Sequence, residues 1–166
     1  NGLLSPVFVD GSVTVNGGGG GGPGDLTFTL PDITADNGDN VCIPVTVDNF
    51  NDIVSMQYSI NYDETVLSYT GSQSYGLGGL TGSNIGNPSA GNVTVSWLAD
   101  DVVAGETVPD GTVIFEICFD VIGSGGDVSG LDFSGTPTSI EVTDINGVLS
   151  PVFNNGSVSV NGGGGG

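Results

Sequence analysis

Hydrophobic and polar residues alternate with a period of two in a series of short segments along the chain. Between Val54 and Tyr62, apolar residues occupy every second position, and Ser, Gln and Asn fill the positions between them. Similar segments begin near residues 26, 41, 93, 113, 140, 148 and 158, separated by turn-rich stretches such as 34–39 and 123–130. This pattern predicts half-buried β-strands. So many short strands predict an all-β sandwich of two sheets around one core.

The phase of the alternation also predicts which side chains face the core. In the segment just described, Val54, Tyr58 and Tyr62 fall on the apolar phase. Trp97 and Val113 fall on the apolar phase of two other segments. Because alternate side chains of a strand point to opposite faces of the sheet, we expect all five residues in the interior.

The two ends of the chain are nearly the same sequence. Residues 1–21 read NGLLSPVFVDGSVTVNGGGGG, and residues 146–166 read NGVLSPVFNNGSVSVNGGGGG. They differ only at positions 3, 9, 10 and 14 of the first copy, so 17 of 21 residues match. A duplication of this quality indicates tandem repeats. We expect closing strands of a preceding repeat (1–16), a glycine-rich linker (17–24), one complete sandwich (25–161) and the start of the next linker (162–166).

The predicted linkers are runs of glycine, from Gly17 to Gly22 and from Gly162 to Gly166. Such a segment is ordinarily a flexible coil. The alternative is that glycine runs from neighbouring repeats or chains pack against each other, because only glycine lets two backbones approach closely. The sequence leaves both interpretations open.

The chain contains 19 Asp and Glu residues and no Lys, Arg or His, which gives a formal net charge of −19 at pH 7. No side-chain salt bridge can form, so the carboxylates are balanced by solvent cations, a bound metal or backbone N–H groups. This charge repels nucleic acid and anionic lipid, and we expect neither as a partner. We also expect no membrane insertion, because no run of about 18 apolar residues is present.

The missing residue types also argue against catalysis. Without His or Lys, the chain cannot build a Ser–His–Asp triad, a Ser–Lys pair or a Schiff base. A glycosidase needs only two carboxylates, but nothing in the sequence nominates such a pair. We therefore predict that the protein is not an enzyme.

Cys42 and Cys118 both fall on the polar phase of their segments, so we expect both to point away from the core. A disulfide between adjacent strands of one sheet fits this placement. Because the two cysteines are 76 residues apart, the bond would stabilise the fold by roughly 4 kcal/mol on the chain-entropy model. It would also indicate an oxidising compartment. The alternatives are two free thiols or a metal-binding pair, although two cysteines without histidine make a poor zinc site.

Three segments resemble the cohesin domain and, more broadly, the carbohydrate-binding-module-like sandwiches of bacterial surface proteins. They are VCIPVTVDNFNDIVSMQYSINYDETVLSY (41–69), GTVIFEICFDVIG (111–123), and EVTDINGVLSPVF followed by NGSVSV (141–160). The resemblance implies a jelly-roll sandwich of about nine strands, with the second and seventh strands adjacent in one sheet. Such sandwiches serve as docking modules, spacers and adhesin repeats, and the cellulosomal type binds dockerin partners across one sheet face.

Acidic residues in loops raise the expectation of a calcium site, because Ca²⁺ takes about six to eight oxygen ligands. The candidate ligands are Asp36, Asp39, Asp100, Asp101 and Asp144. None of them lies in an EF-hand pattern. Asp is also an ordinary turn residue that bonds to nearby backbone, and the sequence does not decide between these two roles.

Exposed aromatic residues would indicate a glycan-binding surface. Tyr69 and Tyr75 are flanked by Ser and Gly and are expected in a surface loop. They are the candidate glycan contacts.

We expect the unit to be a structural repeat of an extracellular filament or giant adhesin, within a secreted bacterial protein. Its partners would be neighbouring copies of the same module, in the same chain or in adjacent chains. Residues 1–16 would then pair with their own following domain, with a neighbouring chain, or with neither. The alternative is a binding module that docks a protein or a glycan on one sheet face.

Overall fold

The computed structural model describes residues 24–162. The expected closing strands of a preceding repeat, residues 1–16, lie outside the described residues. So do Gly17 and Gly22 of the first linker and Gly166 of the second. Gly162 is described, and it is exposed.

Residues 24–162 form thirteen strands, one 3₁₀ turn (Gly82–Asn84) and no membrane-spanning helix. The strands are β1 (Thr27–Thr29), β2 (Asp32–Ala35), β3 (Asn40–Asp48), β4 (Ile53–Tyr62), β5 (Leu67–Gln73), β6 (Ile85–Ser89), β7 (Asn92–Leu98), β8 (Thr112–Val121), β9 (Val128–Ser134), β10 (Glu141–Asp144), β11 (Gly147–Leu149), β12 (Val152–Asn154) and β13 (Gly156–Val160).

The strands form two sheets. The first sheet has the order β12-β1-β3-β8-β5. In the second sheet β4 is central: β7 pairs along one edge, and β10 and β9 share the other edge. Beyond these lie β6 next to β7, β11 next to β10, and β13 followed by β2 next to β9. The expected all-β, two-sheet jelly-roll sandwich is confirmed.

The opening strands of the module (β1 and β2) run parallel to its closing strands (β12 and β13). Each pair passes from the first sheet to the second. Thr27 lies beside Val152 in the first sheet, and Ala35 lies beside Val160 in the second. The opening strand breaks at Pro31, which cannot donate a ladder hydrogen bond. These breaks, and a third between β9 and β10, help to explain why thirteen strands are seen where about nine are expected. The parallel pairing places the start and the end of the module at opposite ends of the sandwich.

Gly156 lies at the point where the two terminal strands cross between the sheets. A Cβ atom at this position would lie 2.3 Å from the carbonyl oxygen of Pro31 and 2.8 Å from the carbonyl carbon of Leu30. Real Cβ atoms do not approach backbone so closely. Glycine is therefore required here by the close contact of two backbones.

The core fills the space between the sheets and is rich in aromatic rings. Tyr58 and Trp97 are buried, and Tyr62 is 9 % exposed, as their phase predicts. The ring of Tyr58 packs edge-on against Phe28, with centroids 5.5 Å apart. Its hydroxyl has no hydrogen-bond partner, and burial raises the pKa of Tyr58 far above its ordinary value.

Two core predictions are wrong, and β-bulges explain both. Val54 and Val113 are only partly buried, whereas their neighbours Ile53 and Ile114 are fully buried. The pairing of β4 with β10 shifts register next to Ile53, and the pairing of β3 with β8 shifts register between Val45 and Thr46. An extra residue in one strand reverses the phase beyond it, so a strict period of two fails there.

A disulfide joins Cys42 of β3 to Cys118 of β8. The two residues are direct partners in adjacent antiparallel strands, with Cα atoms 4.0 Å apart. Their neighbours Ile43 and Ile117 are fully buried, so the disulfide lies on the opposite face of the first sheet. It closes a loop of 76 residues across the middle of that sheet.

Replacing Gly156 with Ala is expected to destabilise the module by about 2 kcal/mol or more, because the new methyl group overlaps the backbone of the opening strand. Urea denaturation of wild type and variant measures the difference. Gly162→Ala is the matched control, since its Cβ would meet nothing within 4 Å, and its effect should stay within about 0.5 kcal/mol. Equal stability of the two variants would contradict the proposed role of Gly156.

Candidate docking face

The outward side of β4 and its neighbours forms a broad polar surface. We call it the docking face and define it by the outward residues of β4, β7, β10 and β11. These are Ser55 and Gln57 of β4, Thr94, Ser96 and Leu98 of β7, Glu141 and Thr143 of β10, and Val148 of β11. The inward residues of β4 and β7 belong to the core, so the core fixes the position of the outward ones.

One row of residues crosses four strands of the docking face. Leu98 pairs with Ser55, Ser55 with Thr143, and Thr143 with Val148. The two central hydroxyls hydrogen-bond to each other, with their oxygens 2.7 Å apart. The two apolar residues at the ends are 60 % and 74 % exposed. The row therefore offers a polar centre between two solvent-exposed apolar contacts.

The docking face carries almost no charge. None of the residues of β4, β6 and β7 is acidic, and Glu141 of β10, beside Gln57, is the one acidic residue among those that define the docking face. The outward side of the first sheet differs, because Glu116 and Asp120 of β8 lie there with the disulfide. Covering the docking face therefore removes fewer carboxylates from water than covering the outward side of β8.

Hydrogen bonds to β7 and to a carboxylate hold two loops that follow β5. The indole N–H of Trp97 donates to the carbonyl oxygen of Gly78 at 2.7 Å. The N–H of Gly78 donates to the carboxylate of Glu106 at 2.8 Å. The amide of Asn84 donates to the carbonyl oxygen of Ser96. A shallow depression of about 300 Å³ lies among Gln57, Asn84, Ser96, Leu98 and Glu141.

Four of the five predicted calcium ligands accept hydrogen bonds from backbone or amide N–H groups. Asp39 accepts from the N–H of Asp36, and Asp36 accepts from the amide of Asn161. Asp101 accepts two N–H bonds in its own loop, and so does Asp144. Asp100 lies against Gly79. Within residues 24–162 no three acidic or cysteine side chains converge as a metal site would require. Calcium binding stays a prediction from the sequence.

These turn hydrogen bonds shift the titration of two of the carboxylates. Bonds from the N–H groups of Ala104 and Val103 hold the pKa of Asp101 below its ordinary value of 3.8. The N–H of Asn146 does the same for the pKa of Asp144. A lowered pKa means that the ionised form is preferred in the folded state. These contributions to stability are present above pH 3.8 and are lost as the pH falls through the folded pKa values.

The two tyrosines expected in a surface loop have different positions. Tyr69 lies in strand β5, is half-buried, and packs against Phe119 with ring centroids 6.0 Å apart. That prediction is wrong because β5 lacks a clear alternation. Tyr75 is 37 % exposed, and its hydroxyl donates to the carbonyl oxygen of Ser72. No aligned set of exposed aromatic rings occurs in residues 24–162, so the structure gives no support to glycan binding.

The cohesin domain family model matches residues 26–160. The chain therefore belongs to the cohesin domain family. Cohesin domains are structural and protein-binding modules and not enzymes. No curated protein sequence matches this chain.

Solved cohesins share the fold at low sequence identity. The sixth cohesin of scaffoldin B from Acetivibrio cellulolyticus, solved with the Cel5 dockerin, is 20% identical with a TM-score of 0.68. The cohesin of the OlpA–Doc918 complex from Clostridium thermocellum is 19% identical, also with a TM-score of 0.68. Both matches cover 82% of this chain and 99% of the other. A non-cellulosomal cohesin from the archaeon Archaeoglobus fulgidus is 21% identical, with a TM-score of 0.63, over 82% of this chain and 91% of that one.

The stability of the protein is expected to rise with salt at pH 7. All charged side chains of the protein are negative. Screening by salt therefore weakens repulsion between them and removes no attractive ion pair. Between about 10 mM and 1 M NaCl the Debye length falls from about 30 Å to about 3 Å. We expect the melting temperature to increase throughout this range, as measured by circular dichroism. KCl should give the same increase, whereas a decrease in either salt would contradict this explanation.

Proposed function

We propose that the module docks a partner protein on the docking face. The observation that carries this proposal is the coincidence of two facts: the chain is a cohesin domain, and one of its sheet faces lacks acidic residues across three neighbouring strands. Solved cohesins of the same fold include complexes with dockerins. A dockerin-like protein is therefore the partner class that we assign.

The chemistry of the docking face supports this proposal. Covering a carboxylate without a counter-charge is costly, and this protein has no basic residue to supply one. The hydroxyl and amide groups of Ser55, Gln57 and Ser96 can instead exchange water for hydrogen bonds with a partner. Leu98 and Val148, separated by about 14 Å across the strands, offer two apolar anchors.

The first test is to add a charge to the docking face. Leu98→Asp places a carboxylate where a partner would have to cover it, so we expect affinity for the partner to fall at least about tenfold. The measurement is surface plasmon resonance of the full chain against an array of dockerin modules.

Ile122→Asp is the matched control for that test. Ile122 is 49 % exposed, follows β8 of the first sheet and lies off the docking face. We expect this variant to bind the same dockerin as wild type, with unchanged affinity. Binding that is lost equally in both variants, or no binding by wild type to any dockerin, would contradict the proposal.

A second function, spacing of tandem modules, is supported by a different observation. The 17 matching residues at the two ends indicate that the module recurs along a chain. The parallel terminal strands lead the chain in beside Val152 and out beside Ala35. Because the chain enters and leaves at opposite ends, modules linked in this way would follow one another in one direction. A docking module and a spacing repeat are compatible roles for one domain.

We also propose that the protein works at a cell surface or outside the cell. The disulfide between Cys42 and Cys118 needs an oxidising compartment to persist. The high negative charge limits association between modules held at high local concentration.

The spacing function predicts how size grows with the number of modules. The opening strands from Asp25 to Ala35 span about 33 Å, and an eight-residue glycine-rich linker adds about 15 Å. Chains with one, two and three copies of residues 17–161 should therefore gain roughly 50 Å in maximum dimension per copy, measured by small-angle X-ray scattering. Chains that stay compact as copies are added would contradict the spacing function.

A further inference from the structure

Four residues of the closing strands make side-chain hydrogen bonds to the rest of the module. Three of them join the closing strands to the opening strands along their parallel pairing. The pairs are Asn154 with Thr29 at 3.1 Å, Ser157 with Asp32 at 2.7 Å, and Asn161 with Asp36 at 2.6 Å. The fourth residue, Asn155, makes two hydrogen bonds to β9 on the other side.

Asn155 uses both ends of its amide on consecutive residues of β9. Its NH₂ group donates to the carboxylate of Asp132 at 2.9 Å, and its carbonyl oxygen accepts from the N–H of Phe133 at 3.0 Å. Only a side chain with both a donor and an acceptor can make this pair of bonds. Asparagine has both, whereas ionised aspartate has acceptors only.

The upstream copy of the closing segment, residues 1–16, differs at two of these four contacts. Its Ser12 and Asn16 match Ser157 and Asn161, but Val9 and Asp10 stand where the module has Asn154 and Asn155. The other two differences, at residues 3 and 14, exchange Leu for Val and Thr for Ser. The changes that alter hydrogen-bonding capacity therefore coincide with two fastening contacts.

Residues 1–16 would be a poor substitute for the module's own closing strands. Val9 in place of Asn154 has no donor for Thr29. Asp10 in place of Asn155 can accept from Phe133, but its carboxylate would face that of Asp132 at hydrogen-bond distance. Like charges so close repel each other, and no basic residue is available to relieve them.

We propose that Asn154 and Asn155 are specificity residues through which the module selects its own closing segment over the near-identical segment upstream. This inference is independent of the docking face. Such selection would counter a hazard of tandem repeats: each module has one copy of the closing strands before it and one at its own end, and it can pair with the wrong copy.

The competing arrangement is exchange between chains. For residues 1–16 to take the closing position in the module of their own chain, residue 16 would have to lie beside Ala35. Ala35 is about 33 Å from residue 25, where the opening strands start. The nine peptide steps between residues 16 and 25 span at most about 32 Å. The upstream copy therefore reaches the closing position of another chain more easily than its own. Such head-to-tail exchange does not close on itself and produces polymers.

The test changes the upstream copy in the full chain. Val9→Asn/Asp10→Asn gives residues 1–16 the two missing contacts. Leu3→Val/Thr14→Ser is the matched control, because it removes the other two differences and changes no fastening contact. Each chain is unfolded in urea with its disulfide intact, refolded at about 1 µM and about 100 µM, and sized by light scattering.

We expect wild type and the control to refold as monomers at both concentrations. The Val9→Asn/Asp10→Asn chain should form exchanged dimers and larger species, at least several-fold more abundant than in wild type at the higher concentration. An equal oligomer fraction in all three chains would overturn the proposal. So would a control chain that oligomerises as much as the Val9→Asn/Asp10→Asn chain.

A charge-swapped pair tests the contact itself. Asn155→Asp should lower the melting temperature by about 3–5 °C, because two carboxylates then face each other. Adding Asp132→Asn restores one donor and the wild-type net charge, and should recover most of the loss. No loss in the single variant, or no recovery in the double variant, would overturn the role of Asn155.

Discussion

The absence of every basic side chain constrains this protein more than any other feature. Nineteen carboxylates must be balanced without a single ion pair. In the described residues, backbone N–H groups meet much of this need: Asp48, Asp63, Asp101, Asp110 and Asp144 all accept them at turns. Most of the described carboxylates lie outside the strands, although Glu116 and Asp120 lie in β8 and Asp132 lies in β9. The faces of the central strands β4 and β7 are left to neutral side chains, and this makes the docking face suitable for contact.

The crossing of the terminal strands is the second constraint on the fold. The opening and closing strands each serve both sheets, and Gly156 lets their backbones touch at the crossing. Because the two strands run parallel, the chain enters and leaves at opposite ends. The same geometry leaves the closing strands replaceable by a copy from elsewhere. Only side-chain contacts such as that between Asn155 and Asp132 separate the correct segment from its near-duplicate.

Much of the fold follows from the alternation of residue types, because burial on one face requires it. That pattern predicts the central strands and the buried positions of Tyr58 and Trp97. It fails at bulges, where Ile53 and Ile114 replace Val54 and Val113 in the core. It also misses β2, β5, β6 and β9, which are short or interrupted by Gly, Ser and Pro. The jelly-roll order of the strands comes from the resemblance to cohesins, since pairing between distant strands leaves no local signal.

The docking face could be predicted only in part. Leu98 gives one signal, because it is an apolar residue on the polar phase of its strand. Val148 gives none, since its exposure depends on the position of β11 at the edge of the second sheet. The alignment of both residues in one row is a property of strand register, and register appears only in the structure.

The most direct measurement is the structure of the full chain bound to its partner protein, by crystallography or electron microscopy. We expect the partner to cover the docking face, with Leu98 and Val148 both buried in the interface and no partner carboxylate against Glu141. A partner seated on the outward side of β3 and β8, or along the terminal strands, would contradict this expectation.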